Sequence, residues 1–211
     1  MACTVLAAPG IAQASSALSV TVVGADGKPV EGAVVLAEPT AAAPRPAAGL
    51  RATMDQRNLK FVPDVLVVQT GTAVDFPNSD QVRHQVYSFS SAKTFQLALY
   101  AGRAHAPVVF DHAGLVTLGC NIHDSMVGYI WVTDSPWFGR TGANGTLQLR
   151  GLAPGDYHLR IWHPRLAESG PQLQQQLHLA DGASASADFH LRQALKPPLV
   201  NHGADKKWAD Y

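Results

Sequence analysis

The sequence predicts an all-β protein built of two small sandwiches. Short segments rich in β-branched and aromatic residues recur along the chain with turn residues between them. No helical period extends over three turns, and Asp-Gly, Asn-Gly and Pro-Gly pairs punctuate both ends. At 211 residues the chain is long enough for one large domain or two small ones, either with a self-supporting core.

Residues 1 to 16, MACTVLAAPGIAQASS, are small and apolar and contain Ala12-Gln13-Ala14, an A-x-A cleavage pattern. They predict a signal peptide over 1–14, and hence export to the periplasm, although the usual positive n-region is missing. Cleavage there removes Cys3 and leaves Cys120 as the one thiol, so no disulfide can form within the mature chain. An unpaired exported thiol needs a chemical reason, and metal ligation supplies one.

Residues 17–38 alternate on both sides of Asp26-Gly27 and read as a hairpin. The Pro- and Ala-rich stretch 40–49 reads as a linker. From 51 to 134 the segments VLVVQT, TAVDF, HQVYSF, TFQLALY, PVVF, GLVTLGC and YIWVT predict an antiparallel sandwich or barrel. Four more strands follow, with turns at Asn144-Gly145, Pro154-Gly155 and Asp181-Gly182. A lone hairpin is marginal, so 17–39 is expected to join 137–192 in one sandwich, with 51–134 inserted as a second. The tail from 193 to 211 has no pattern and reads as an extended wrap or a disordered end.

Charge narrows the function. Lys plus Arg number 16 and Asp plus Glu 16, so no net field draws in nucleic acid. Apolar residues make up 46%, but no run approaches the ~20 needed for a membrane span.

The chemistry is concentrated in GCNIHDSMVGYI, residues 119–130, where Cys120, His123 and Met126 stand three residues apart. Taken singly, Cys120 and Met126 read as core and a histidine as a loop residue. Taken together, thiolate, imidazole and thioether form a soft donor set that selects copper, and one further imidazole completes the mononuclear electron-transfer arrangement. His84, in FPNSDQVRHQVYSF, supplies it if its strand lies beside the one ending at Cys120. Zinc competes, but thioether is not among its usual ligands. A centre bridged by two thiolates is excluded by the single mature cysteine.

These residues resemble the cupredoxins, in which a first His precedes a strand and Cys, His and Met follow near the end of the domain. The two-residue gaps are similar to the short-loop variety. FVPDVLVVQTGTAVDFPNSDQVRHQVYSF through LGCNIHDSMVGYIWV, followed by GDYHLRIWHP, resembles exported bacterial cupredoxin-like proteins of the methylamine utilization type. GKPVEGAVV and LRGLAPGDYHLRI are similar to carboxypeptidase regulatory-like, prealbumin-type sandwiches. The resemblance covers about 17–192. It implies a cupredoxin-like Greek-key sandwich beside a prealbumin-like one, with one copper on His84, Cys120, His123 and Met126. It also implies His123 as the electron port, within an apolar patch to which Ile122, Val127 and Trp137 are candidates, and a redox partner such as a dehydrogenase or cytochrome c. Gln85 stands where many cupredoxins have Asn, and Asp124 where Pro often follows the second His.

The remaining histidines, at 105, 112, 158, 163, 178, 190 and 202, show no H-x-H or H-x-x-x-H pattern. Strand alternation puts His158 and His163 on opposite faces. No P-loop, G-x-S-x-G or H-E-x-x-H is present, so no enzyme is expected. Three readings remain open: a periplasmic type 1 (blue) copper electron carrier, a copper storage, delivery or sensing protein, and a surface module binding protein or glycan with a degenerate copper site.

Overall fold

The computed structural model describes residues 16–102, 106–123, 125–166 and 173–198. The expected leader, Cys3, His105, Asp124, His202 and the tail beyond 198 lie outside the described residues. The chain opens with β1 (Ser16–Val23) and β2 (Val34–Pro39). The middle contributes β3 (Arg51–Thr53), β4 (Asp55–Arg57), β5 (Lys60–Val62), β6 (Val65–Gln69), β7 (Thr72–Asp75), β8 (His84–Ser90), β9 (Lys93–Tyr100), β10 (Val108–Phe110), β11 (Gly114–Gly119) and β12 (Val127–Thr133). It closes with β13 (Phe138–Arg140), β14 (Thr146–Leu152), β15 (Gly155–Trp162), β16 (Gln174–Leu179) and β17 (Ser184–His190). Among the described residues there is no α-helix, and so none long and apolar enough to cross a membrane.

One sandwich stacks a sheet ordered β14-β1-β17 on a sheet ordered β13-β2-β15-β16. Strict alternation in β1 sends Leu18, Val20 and Val22 inward, where they meet Val35 and Ala37 of β2, Tyr157 and Leu159 of β15 and Phe189 of β17. The chain folds back around Asp26-Gly27 only as far as an antiparallel bridge between Val23 and Pro29, and β1 and β2 themselves do not pair, contrary to the hairpin the sequence predicts. The turn itself forms, with Gly27 at φ 77° and the Lys28 N–H on Asp26 Oδ1 at 3.1 Å. It carries the chain from one sheet to the other, because alternating residues specify a buried face and leave the pairing partner unspecified. β1 instead pairs in parallel with β17, from Ala17↔Ser184 to Val23↔His190.

The other sandwich stacks the sheet β6-β12-β11-β8-β9 on the sheet β10-β7-β3 around Phe61, Phe76, Val86, Phe110, Val116, Leu118 and Ile130. The β4-β5 hairpin closes one side. Pairing is mixed where an antiparallel arrangement was expected: β12-β6 and β3-β7 are parallel.

β2 explains how the sandwiches meet. Its run Val34-Val35-Leu36-Ala37 is buried on both faces, as a continuous apolar run requires. Val35 and Ala37 face the first core, whereas Val34 and Leu36 join Val65 in a separate cluster with Val67, Tyr129, Trp131, Phe138 and Trp162. The Trp162 ring lies 5.2 Å from Tyr129 and 5.5 Å from Trp131. Arg140 reaches across to Asp64 at 3.1 Å and to the Val65 carbonyl. Trp162→Leu is expected to lower stability by about 1–2 kcal/mol by removing these two aromatic pairs. Urea denaturation measures it, and a wild-type midpoint would show that the pairs contribute nothing.

Candidate metal centre

β8 begins at His84 and β11 ends just before Cys120, and the two strands pair with Gly119 opposite Tyr87. The contact is close enough to require glycine. A Cβ at 119 would sit 2.7 Å from the Tyr87 ring and hydroxyl. Beyond Cys120 the chain turns back, with the Met126 N–H donating to the His123 carbonyl at 2.9 Å, and re-enters the sheet as β12. Strand pairing therefore brings the distant imidazole beside the sulfur-bearing loop.

Cys120 Sγ is 3.9 Å from His84 Nδ1 and 3.8 Å from His123 Nδ1, and the three donor atoms all lie within 4.8 Å of one another. A thiolate and an imidazole nitrogen bound at about 2.3 and 2.0 Å to one ion stand roughly 3.5–3.7 Å apart at tetrahedral to trigonal angles. The observed edges are close to that spacing and long for direct hydrogen bonds. The residues thus fit a small metal ion between them. His84 is fully buried, Cys120 is 3% exposed, and His123 is half-buried. Met126, 1% exposed, lies in the apolar cluster that also contains Cys120.

Electrostatics favour the thiolate of Cys120 and the neutral ring of His123, while His84 holds its proton more readily. Burial pushes the Cys120 thiol up, but the His84 imidazole and the backbone N–H groups of Gln85 and Ile122 outweigh it and hold its pKa below the ordinary value. Burial opposes the His84 imidazolium, yet Cys120 and Asp80 leave its pKa raised. His123 is pushed down by burial and then by His84, which favours its neutral, ligating form.

The neighbouring groups include one that sequence reasoning missed. Asp80 Oδ2 lies 2.7 Å from His84 Nε2, on the side of the ring away from the sulfur-facing Nδ1. Only its place in an Asn- and Ser-rich turn four residues before His84 signalled it.

Other sequence candidates fall elsewhere. Ile122 is 53% exposed beside His123, and Val127 is half-buried. Trp137 packs in the first sandwich, edge-on to Tyr157 with Nε1 donating to the Gly151 carbonyl, and belongs to no patch at the centre. It follows β12 into that sandwich, where an apolar indole finds a core. His158 is exposed and His163 is buried, as strand alternation requires. Among the described residues, the only His, Cys and carboxylate group drawn together closely enough to hold a metal is His84, Cys120 and His123.

No protein-family model matches the chain, and no curated protein sequence matches it. Solved structures do. A Cu-containing nitrite reductase (NirK) from Thermus scotoductus SA-01 is 24% identical over 45% of this chain, with a TM-score of 0.38. The match spans 25% of that chain. A reduced amicyanin variant is 18% identical over 46% of this chain and 97% of its own, with a TM-score of 0.37. A second reduced amicyanin variant is 21% identical over the same shares, with a TM-score of 0.35. At this level of likeness, function has to be read from the side chains.

Proposed function

We propose that the chain is an exported, mononuclear type 1 (blue) copper protein that passes single electrons between redox partners. The observation that carries this reading is the convergence of the Cys120 thiol with His84 Nδ1 and His123 Nδ1 at 3.9 and 3.8 Å, with Cys120 and His84 buried and His123 half-buried. One thiolate, two imidazoles and a thioether are the donor set of electron-transfer copper, and Met126, packed in the same cluster as Cys120, would be the residue to supply the thioether. Copper bound there supplies one-electron chemistry. The chain's own contribution is to hold the donors rigidly: His84 and Cys120 are fixed by paired strands, and Met126 by the packed core. The half-buried His123, beside exposed Ile122, is the edge at which a redox protein such as a dehydrogenase or cytochrome c docks.

The same reading divides the chain into a copper unit, 51–134, and a docking unit made from 17–39 and 137–192. The return of β13–β17 to pair with β1 and β2 supports that division.

The test is to add Cu(II) to the metal-free protein and record visible and EPR spectra, then repeat with Cys120→Ser. An intense thiolate-to-copper band with narrow hyperfine splitting is expected in the wild type and absent in the variant. A colourless wild-type complex would defeat the reading. A coloured protein that loses copper on each reduction would instead be a delivery protein.

A further inference from the structure

We propose that Asp80 is a positioning residue for the metal centre, acting through His84 and favouring the more highly charged, oxidised ion. The inference rests on the copper reading of His84, Cys120 and His123. Its ground is the pattern of contacts around one carboxylate. Asp80 Oδ2 accepts from His84 Nε2 at 2.7 Å and from the Leu59 N–H at 3.0 Å, while Oδ1 accepts from the Asn58 N–H at 2.6 Å. Its side chain is only 12% exposed.

The carboxylate is held from both sides. Its own backbone N–H donates to Asn78 Oδ1 at 3.0 Å. The Asn78 amide in turn donates to the Val82 and Tyr100 carbonyls at 2.8 and 3.0 Å. Opposite, Asn58 and Leu59 form the β4-β5 turn with φ of 53° and 57°, a left-handed pair that aims two successive N–H groups at one acceptor. Positive φ at both central residues is what a two-residue hairpin turn between Arg57 and Lys60 requires.

The consequence for His84 is chemical. In the neutral ring, an acceptor on Nε2 keeps the remaining proton there and leaves the Nδ1 lone pair directed at the space shared with Cys120 Sγ. A carboxylate behind a ligating imidazole fixes the ring and raises its basicity, and removing such a partner typically lowers metal affinity 10–100-fold. The negative charge stabilises Cu(II) more than Cu(I), so the two oxidation states lose affinity unequally.

Asp80→Asn keeps the size of the side chain and removes its charge. Asp55→Asn is the control: that carboxylate also serves the hairpin, accepting from Ser79 Oγ and Arg57, without touching His84. In copper-loaded protein we expect Asp80→Asn to weaken Cu(II) about tenfold more than Cu(I), raising the reduction potential by ~59 mV for one electron. Asp55→Asn should shift it by less than a third of that. Equal potentials in wild type and Asp80→Asn, with both proteins blue, would overturn the proposal.

A second measurement needs no copper and no variant. Long-range 1H–15N correlation on the metal-free wild type, above the pH at which His84 loses its imidazolium proton, should show His84 protonated at Nε2. An equal mixture of tautomers would overturn the proposal even if Asp80→Asn failed to fold. A colourless wild-type copper complex would sink the copper reading and leave this second result to decide the role of Asp80.

Discussion

In Phe61→Ala the free energy of unfolding is expected to fall by about 3–5 kcal/mol, the usual range for emptying a buried aromatic site. Phe61 is 2% exposed and projects from β5 onto β12 at Gly128, where an added Cβ would lie 2.8 Å from the ring. That contact docks the hairpin of β4 and β5, each only three residues long, onto the five-stranded sheet. Two such strands have no stability of their own. Removing the ring therefore loosens the turn at Asn58 and Leu59, and with it the two N–H groups that hold Asp80. Urea denaturation should show a lower midpoint, and hydrogen exchange should show faster exchange at Asn58 and Leu59. A wild-type midpoint would mean that the hairpin is anchored elsewhere.

The second large effect is a loss of stability in acid traced to His163. The ring is 8% exposed, and its Nδ1 accepts the Arg165 N–H at 3.1 Å. Burial, followed by the nearby Arg165 and Arg140 charges, pushes its pKa down to about 4. In the unfolded chain a histidine titrates near ~6.5. Between those values the unfolded state holds a proton that the folded state refuses, so stability is fully present above about pH 6.5. It is lost as the pH falls towards 4, by on the order of 2–3 kcal/mol. His163→Asn retains an acceptor for the Arg165 N–H and cannot titrate. Its stability should change much less between pH 7 and pH 4.5 than that of the wild type, and equal slopes would assign the acid sensitivity to other groups.

Much of the site was legible because its donors obey short-range rules. Cys120, His123 and Met126 share one loop, and their spacing is visible without any knowledge of the fold. His84 needed one assumption, that β8 lies beside β11, and the pairing of Gly119 with Tyr87 satisfies it. Asp80 was not legible as a partner, since a carboxylate in a polar turn is ordinary and its meaning comes from the β4-β5 turn folded against it. That hairpin was itself invisible: three residues are too few to display a period of two, and Asn58-Leu59 lacks the glycine that marks a two-residue turn. β3 and β13 were missed for the same reason. The β1 and β2 pairing was misread because alternation reports which side of a strand is apolar and is silent on its neighbour. By contrast, the unbroken apolar run of β2 does announce burial on both faces, and its second face is the seam holding Trp162.

The pairing of β1 with β17 has a consequence for how the molecule is made. The first strand to emerge in this structure acquires its neighbours β14 and β17 only when the last segments arrive, after the whole middle sandwich has been synthesised. The middle sandwich can close early, whereas β1 and β2 must wait with open edges, the condition in which unfinished β-chains aggregate. A nonsense mutation or clip before Ser184 should therefore spare the donors and still yield an insoluble protein.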